Sequence, residues 1–207
     1  GDVAAAKAVA AEVKGLRNAS RMRVDRRFDP VLAEAPQLGD YKAQAARLLE
    51  SLRAKQKAAP RAMPLRVSIA EEMVLLGDYA AALDFIDETL AGMRGADEDA
   101  WQSPEYAAFL LRARASANLR QGKAQQAIED FEMASMFVPP NGVDIPRLML
   151  ADKLCDLGRP KDAEEAAKVD TRNIPWPTQV RQLVRACAAA GVGDTARARA
   201  LADGLRE

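Results

Sequence analysis

The sequence predicts an all-α fold built from repeated helical hairpins, and three observations predict it. About a fifth of the 207 residues are alanine while aromatics reach only 5%, a balance that favours closely packed helices. Four glycines, Gly77, Gly122, Gly158 and Gly191, are each followed five residues later by alanine, at Ala82, Ala127, Ala163 and Ala196. Seven residues before the same glycines stand Ala70, Ala115, Ala151 and Val184. A glycine ending a helix takes the left-handed conformation without a Cβ penalty and lets the chain reverse. Small residues on both sides of the reversal let the two helices approach to about 8–10 Å.

Taken in order, residues 1–62 read as an N-terminal helical cap with a degenerate repeat. Residues 3–18, alanine-rich with Val9, Val13 and Leu16, suit one helix. The basic run from Arg21 to Arg27 precedes Phe28-Asp29-Pro30, where Asp29 caps and Pro30 opens a short helix that Pro36 ends. Gly39-Asp40-Tyr41 reads as a further turn before a helix carrying Leu48, Leu49 and Leu52 to about Lys57, and Pro60 and Pro64 bound the linker that follows. Four hairpins are then expected at 63–96, 108–141, 144–176 and 177–207. Asp78 is placed to cap the second helix of the first hairpin and Pro160 to open that of the third. Val180, Leu183, Val184 and Cys187 follow helical spacing, as do Ile128, Phe131 and Ser135 less strictly. Each hairpin is left with an apolar flank that a neighbouring hairpin buries.

The fullest copy reads Gly122, then Ala127-x-x-x-Phe131, then Pro139, and Pro175 stands at the matching distance from Gly158. In these residues the chain resembles the tetratricopeptide repeat (TPR), a helix-turn-helix unit of about 34 residues ending in this Ala, Phe and Pro pattern. The turn glycines are 45, 36 and 33 residues apart, so two intervals lie near the family's period and one carries an insertion. The resemblance covers residues 63–207. It departs from the family at the first-helix Trp and Tyr, and Ile86 and Ala167 stand where the Phe is expected. The family implies a right-handed solenoid with a concave groove lined by the first helix of each hairpin.

With the turn glycine at position 15 of the unit, the resemblance places Phe109, Arg112, Ser116, Leu119 and Arg120 in that groove, then Ile145, Leu148, Asp152 and Asp156, then Arg181 and Arg185. Arginine beside aspartate with apolar strips between suits a peptide carrying both charges and hydrophobic anchors. An ordinary polar face whose Arg and Asp pair with each other is the competing reading. The carboxylate clamp of chaperone-binding members is not reproduced, because its Lys-x-x-x-Asn appears only as Arg112-x-x-x-Ser116.

Little in the sequence points to chemistry. There is no histidine, so the commonest metal ligand and acid-base group is missing. No phosphate loop, nucleophile elbow or Cys-x-x-Cys pair is present. Neither a catalytic site nor a cofactor or metal site is expected. Glu71-Glu72 and Glu164-Glu165 read as solvated helix surface, since adjacent helical residues do not face each other. Thirty basic and thirty acidic residues leave no global field for nucleic acid, and Arg21, Arg23, Arg26 and Arg27 read as a solvated segment. No apolar run reaches the about 18 residues of a membrane span. Cys155 and Cys187 suit buried free thiols, with a disulfide in an oxidising compartment as the alternative. Trp101, in the acidic insertion at 97–107, is read as tucking that loop onto the solenoid, with a binding anchor as the alternative, and Trp176 as packing at a joint between hairpins. The start at Gly1-Asp2-Val3 without Met points to a removed segment such as a signal peptide, which favours a periplasmic or exported location over a cytoplasmic one.

The function expected is protein-protein interaction, a soluble scaffold of bacterial type binding a peptide or protein segment in the groove. The alternative is self-assembly: with no polar helix after Leu201 and Leu205, the last hairpin's flank would be buried by another copy, giving a homo-oligomer.

Overall fold

The computed structural model describes residues 8–13, 15, 38–95, 104–139, 142–172 and 174–205. Every regular element among them is helical. Residues 8–13 are helical, and α1 (Leu38–Ala58) is followed by four helical pairs: α2 (Met63–Leu76) with α3 (Tyr79–Gly95), α4 (Pro104–Arg120) with α5 (Ala124–Ser135), α6 (Ile145–Asp156) with α7 (Pro160–Ala166), and α8 (Pro175–Gly191) with α9 (Thr195–Asp203). The basic run Arg21–Arg27, the short helix read between Asp29 and Pro36, and Trp101 lie outside the described residues.

Each pair is closed by the same hydrogen bond. The amide after the turn glycine donates to the carbonyl four residues before it: Asp78 to Met73 at 3.0 Å, and Lys123 to Asn118, Arg159 to Leu154 and Asp194 to Ala189 at 2.9 Å. This is the helix-ending geometry that requires a left-handed residue, and Gly77, Gly122, Gly158 and Gly193 have φ of 89°, 76°, 69° and 83°. The fourth turn glycine is therefore Gly193 and not Gly191, which still belongs to α8.

Correcting that register by two residues makes the four hairpins agree more closely. The small residue seven before the turn becomes Ala186, and the one five after it becomes Ala198. Ala70, Ala82, Ala115, Ala127, Ala151, Ala163, Ala186 and Ala198 all have 0% exposure, whereas Ala196 is exposed. The last two turns are then 35 residues apart. Gly191 serves a different need: a Cβ there would stand 2.7 Å from Cβ of Pro160, so the end of α8 reaches the start of α7 only because that position has no side chain.

Helix starts follow the sequence signals. Pro64, Pro146, Pro160 and the Pro175–Pro177 segment occupy first turns, where a missing amide hydrogen costs nothing. Asp144 and Asp194 cap α6 and α9 by accepting from the amides of Arg147 and Arg197 at 2.9 and 3.1 Å. One expected turn is absent, since Gly39 and Asp40 lie within α1.

Two compact units emerge, residues 34–140 and residues 1–33 with 141–207, whereas the sequence reading divides the chain after residue 62. In the first unit α1 lays Leu49 and Leu52 against Ile69, Met73 and Ala82. A larger core joins Val67 and Ala70 to Ile86, Leu90, Met93, Leu110 and Leu111. Helix α2 packs on both α3 and α4, and α3 on α4. The second unit repeats this arrangement, with α6 against α7 and α8, and α7 against α8. Its last hairpin is covered from within the chain. Val9 and Val13, 2% and 1% exposed, pack with Ala186, Ala189, Ala198 and Ala202. Each buried valine contributes about 1.5–3 kcal/mol. The expectation that this flank lacks a covering helix does not hold.

Candidate functional site

Position 5 of the second hairpin is occupied by Arg112, midway along α4. It lies about one turn before Ser116 and two before Arg120; α4 is packed between α2, α3 and α5, and Arg112 is half-buried. Its guanidinium carbon lies 5.0 Å from the centre of the Phe109 ring, one turn away, a cation-aromatic contact at the i, i+3 spacing. Its Nε is buried and bonds to no protein group. Burial lowers its pKa from the ordinary value and the carboxylate of Glu71 partly restores it.

Glu71 comes from α2, the corresponding helix of the first hairpin. Although its own side chain is exposed, the surrounding protein reduces its solvation and raises its pKa above 4.5, with Arg112 acting the other way. The pair is coupled through space with desolvation the larger influence on both. Reading Glu71 as plain solvated surface missed this, because the cation that faces it lies forty-one positions along the chain. The register could have found it: Glu71 occupies position 9 of its hairpin as Ser116 does of the next.

The other expected groove residues fall into different surroundings. Phe109 is half-buried against the core of the first unit. Ser116 directs its hydroxyl to the carbonyl of Arg112 at 3.0 Å, Leu119 is half-buried, and Arg120 is exposed at the end of α4. In the second unit Leu148 is fully buried and Ile145 half-buried. Asp152 and Asp156 both face Lys153 on their own helix, at 3.7 and 4.0 Å. Arg181 donates to the carbonyl of Val169 at 3.0 Å, which pins α8 to the chain leaving α7. Arg185 is half-buried. With Gly193 as the turn, the family register selects Val180, Leu183 and Cys187 on α8 in place of Arg181 and Arg185.

A second polar cluster was not visible in the sequence. Arg114 on α4 donates to Asp130 on α5 through Nε and Nη2, at 2.9 and 2.7 Å, and to Asp87 on α3 at 2.6 Å. Asn118 donates to the other oxygen of Asp130 at 2.9 Å. Burial is the largest influence on both ions, yet Arg114 is held above its ordinary value by its two carboxylates, while the deeper Asp130 is also raised. The aspartate, 6% exposed against 22% for the arginine, carries the uncompensated part of the desolvation. The three guanidinium nitrogens of Arg114 and both oxygens of Asp130 are engaged within the cluster, which ties three helices together.

Cys155 and Cys187 are not joined in a disulfide. Among the described residues no group of acidic and cysteine side chains is arranged to hold a metal ion, and no helix is long and apolar enough to cross a membrane. The chain matches no protein-family profile, no curated protein and no solved structure.

Proposed function

We propose that this chain is a TPR-like right-handed solenoid whose inner helices bind a peptide or protein segment, and that it works as an interaction module without catalytic activity, nucleic-acid binding or membrane insertion. What supports the repeat is the common register of four left-handed glycines and eight fully buried alanines. The observation that carries the binding reading is Arg112. Its guanidinium lies over the Phe109 ring, and its buried Nε bonds to no protein group. An arginine whose orientation is fixed in this way loses little freedom when a carboxylate of a partner segment meets it. The face on α2 and α4 is thus suited to an acidic side chain flanked by an apolar one that rests near Phe109.

The test is selection of peptides from a random display library on the immobilised chain, repeated with Arg112→Gln, a variant whose helicity is checked by circular dichroism. Enriched peptides sharing an acidic residue beside an apolar one, and at least about tenfold weaker on the folded variant, are the expected result. Peptides held equally by both proteins would remove this face from consideration. The self-assembly reading loses its original ground, since Val9 and Val13 already cover the flank on which it rested.

A further inference from the structure

The chain's two cysteines stand on α6 and α8, neighbouring helices of the second unit. Cys155 is three residues before Gly158, and Cys187 six before Gly193. The thiol of Cys155 donates to the carbonyl of Val184 at 3.7 Å. Val184 is one turn before Cys187, and the Cα–Cβ bonds of a helix tilt towards its N-terminus. The Cys187 side chain is thereby carried back to the level of the carbonyl that the Cys155 thiol already touches. The matching row in the first unit leads to the same pairing. Glu71 and Arg112, six before Gly77 and ten before Gly122, interact across α2 and α4. The equivalent residues of the second unit are Asp152 and Leu183, and Cys155 and Cys187 lie one turn further along each helix. The backbones also come close here, since a Cβ on Gly191 of α8 would stand 2.7 Å from Pro160. Helices packed about 8–10 Å apart, each with Cα atoms about 2.3 Å from its axis, bring facing Cα atoms within the about 4.4–6.8 Å that a disulfide needs.

We propose that Cys155 and Cys187 form a thiol-oxidation site, a dithiol that a small soluble disulfide converts into an intramolecular bond joining α6 to α8. The thiolate of one cysteine attacks the small disulfide, whose S–S bond breaks to release one thiol and leave a mixed disulfide on the protein. The second cysteine's thiolate then attacks the protein sulfur of that mixed disulfide and releases the other half as a second thiol. One S–S bond forms in the protein and one is lost from the oxidant, which takes up the two electrons and the two cysteine protons. Neither cysteine is sealed in the core, both being half-buried, and access governs such exchange. The Cys155 thiol gives up only a weak bond to Val184 as it turns, because thiols are poor donors. The ring closed between residues 155 and 187 contains α7 and the connection in which Arg172 takes a φ of 49°, so the bond fixes the third hairpin to the fourth. The site belongs to the second unit and stands whether or not the α2 and α4 face binds a peptide.

The test equilibrates the full chain with oxidised and reduced glutathione over a range of ratios, once folded and once in concentrated urea. Exchange is stopped by alkylation, and the products are read by intact mass and peptide mapping. The folded chain is expected to form the Cys155–Cys187 bond within one chain, with an effective thiol concentration about tenfold above that of the urea-unfolded chain. By linkage the oxidised chain then unfolds at a higher urea concentration than the reduced one. A folded-state effective concentration at or below the unfolded one overturns the proposal, because it means that the fold holds the two thiols apart. Two glutathione adducts on one folded chain in place of the bond, or disulfides that join two chains, overturn it as well.

Discussion

Hairpins α4/α5 and α8/α9 are built on the same frame and filled in opposite ways. Both place an alanine of 0% exposure seven residues before a left-handed glycine and another five after it. In the second hairpin, positions eight and four before the turn and eight after it hold Arg114, Asn118 and Asp130, joined in a buried network. The corresponding residues are Ile69, Met73 and Phe85 in the first hairpin, Leu150, Leu154 and Ala166 in the third, and Arg185, Ala189 and Leu201 in the last. The alanines set how close two helices come, while these three positions decide what holds them. The frame is tolerant of either solution, and the polar one appears where α3, α4 and α5 converge.

That comparison has a sharp consequence for mutation. Asp130→Ala leaves Asn118 without its acceptor and Arg114 with Asp87 alone, and is expected to cost about 3 kcal/mol, measured by urea denaturation. Installing the third hairpin's set, Arg114→Leu/Asn118→Leu/Asp130→Ala, removes the buried members at once and leaves Asp87, whose side chain is 59% exposed, to water. Most of that loss is then expected to return, because apolar replacement of a whole buried network is commonly neutral or better. A triple variant no more stable than the single one would mean that the network does more than substitute for an apolar joint.

In the second unit the sensitivity lies in a missing methyl group. Gly191→Ala drives a Cβ to 2.7 Å from Pro160, with an expected cost of about 1–3 kcal/mol. Pro160→Ala should relieve part of it in a double-mutant cycle. Gly122→Ala meets no atom within 4 Å and suffers only from its φ of 76°, about 1–2 kcal/mol. Absence of coupling between positions 160 and 191 would contradict the close approach. Removing the cap of the last hairpin, Asp194→Ala, is expected to cost about 1 kcal/mol in the same assay.

The smallest effect concerns Glu71 and pH. Its pKa is raised in the folded chain, so the fold binds this proton more tightly than the unfolded chain does. The resulting stability is complete below about 4.5 and is lost as pH rises through the raised value. Glu71→Gln has no such proton to lose. Its stability relative to the unaltered chain should therefore rise from pH 4.5 towards neutrality, read as the difference between urea midpoints along a pH series. A constant difference would show that Glu71 is solvated in the ordinary way.

The hairpins were legible because glycine and alanine are needed at fixed distances along one chain segment. The fourth was misplaced by two residues because Gly191 and Gly193 are both glycine and α8 is rich in alanine, so several registers fit; only the conformation of Gly193 and the crowding at Gly191 separate them. Arg112 with Phe109 was within reach, being a helical i, i+3 pair. The Arg114 network was not, since Asp87, Asn118 and Asp130 look like surface residues until three helices bring them together. Nor was the cover on α8 and α9, whose two valines lie far from their partners in sequence.

The eight buried alanines also determine what a mutational survey of this protein would see. Alanine scanning passes over them, because the probe is already in place, and so the contacts that set each helical crossing would leave no trace. Valine or threonine, each one nucleotide away from an alanine codon, adds atoms at positions with 0% exposure and forces the paired backbones apart. A sequencing-based scan would accordingly show eight intolerant positions, twelve residues apart within each hairpin, and the residue usually regarded as the mildest replacement would be the one that accepts none.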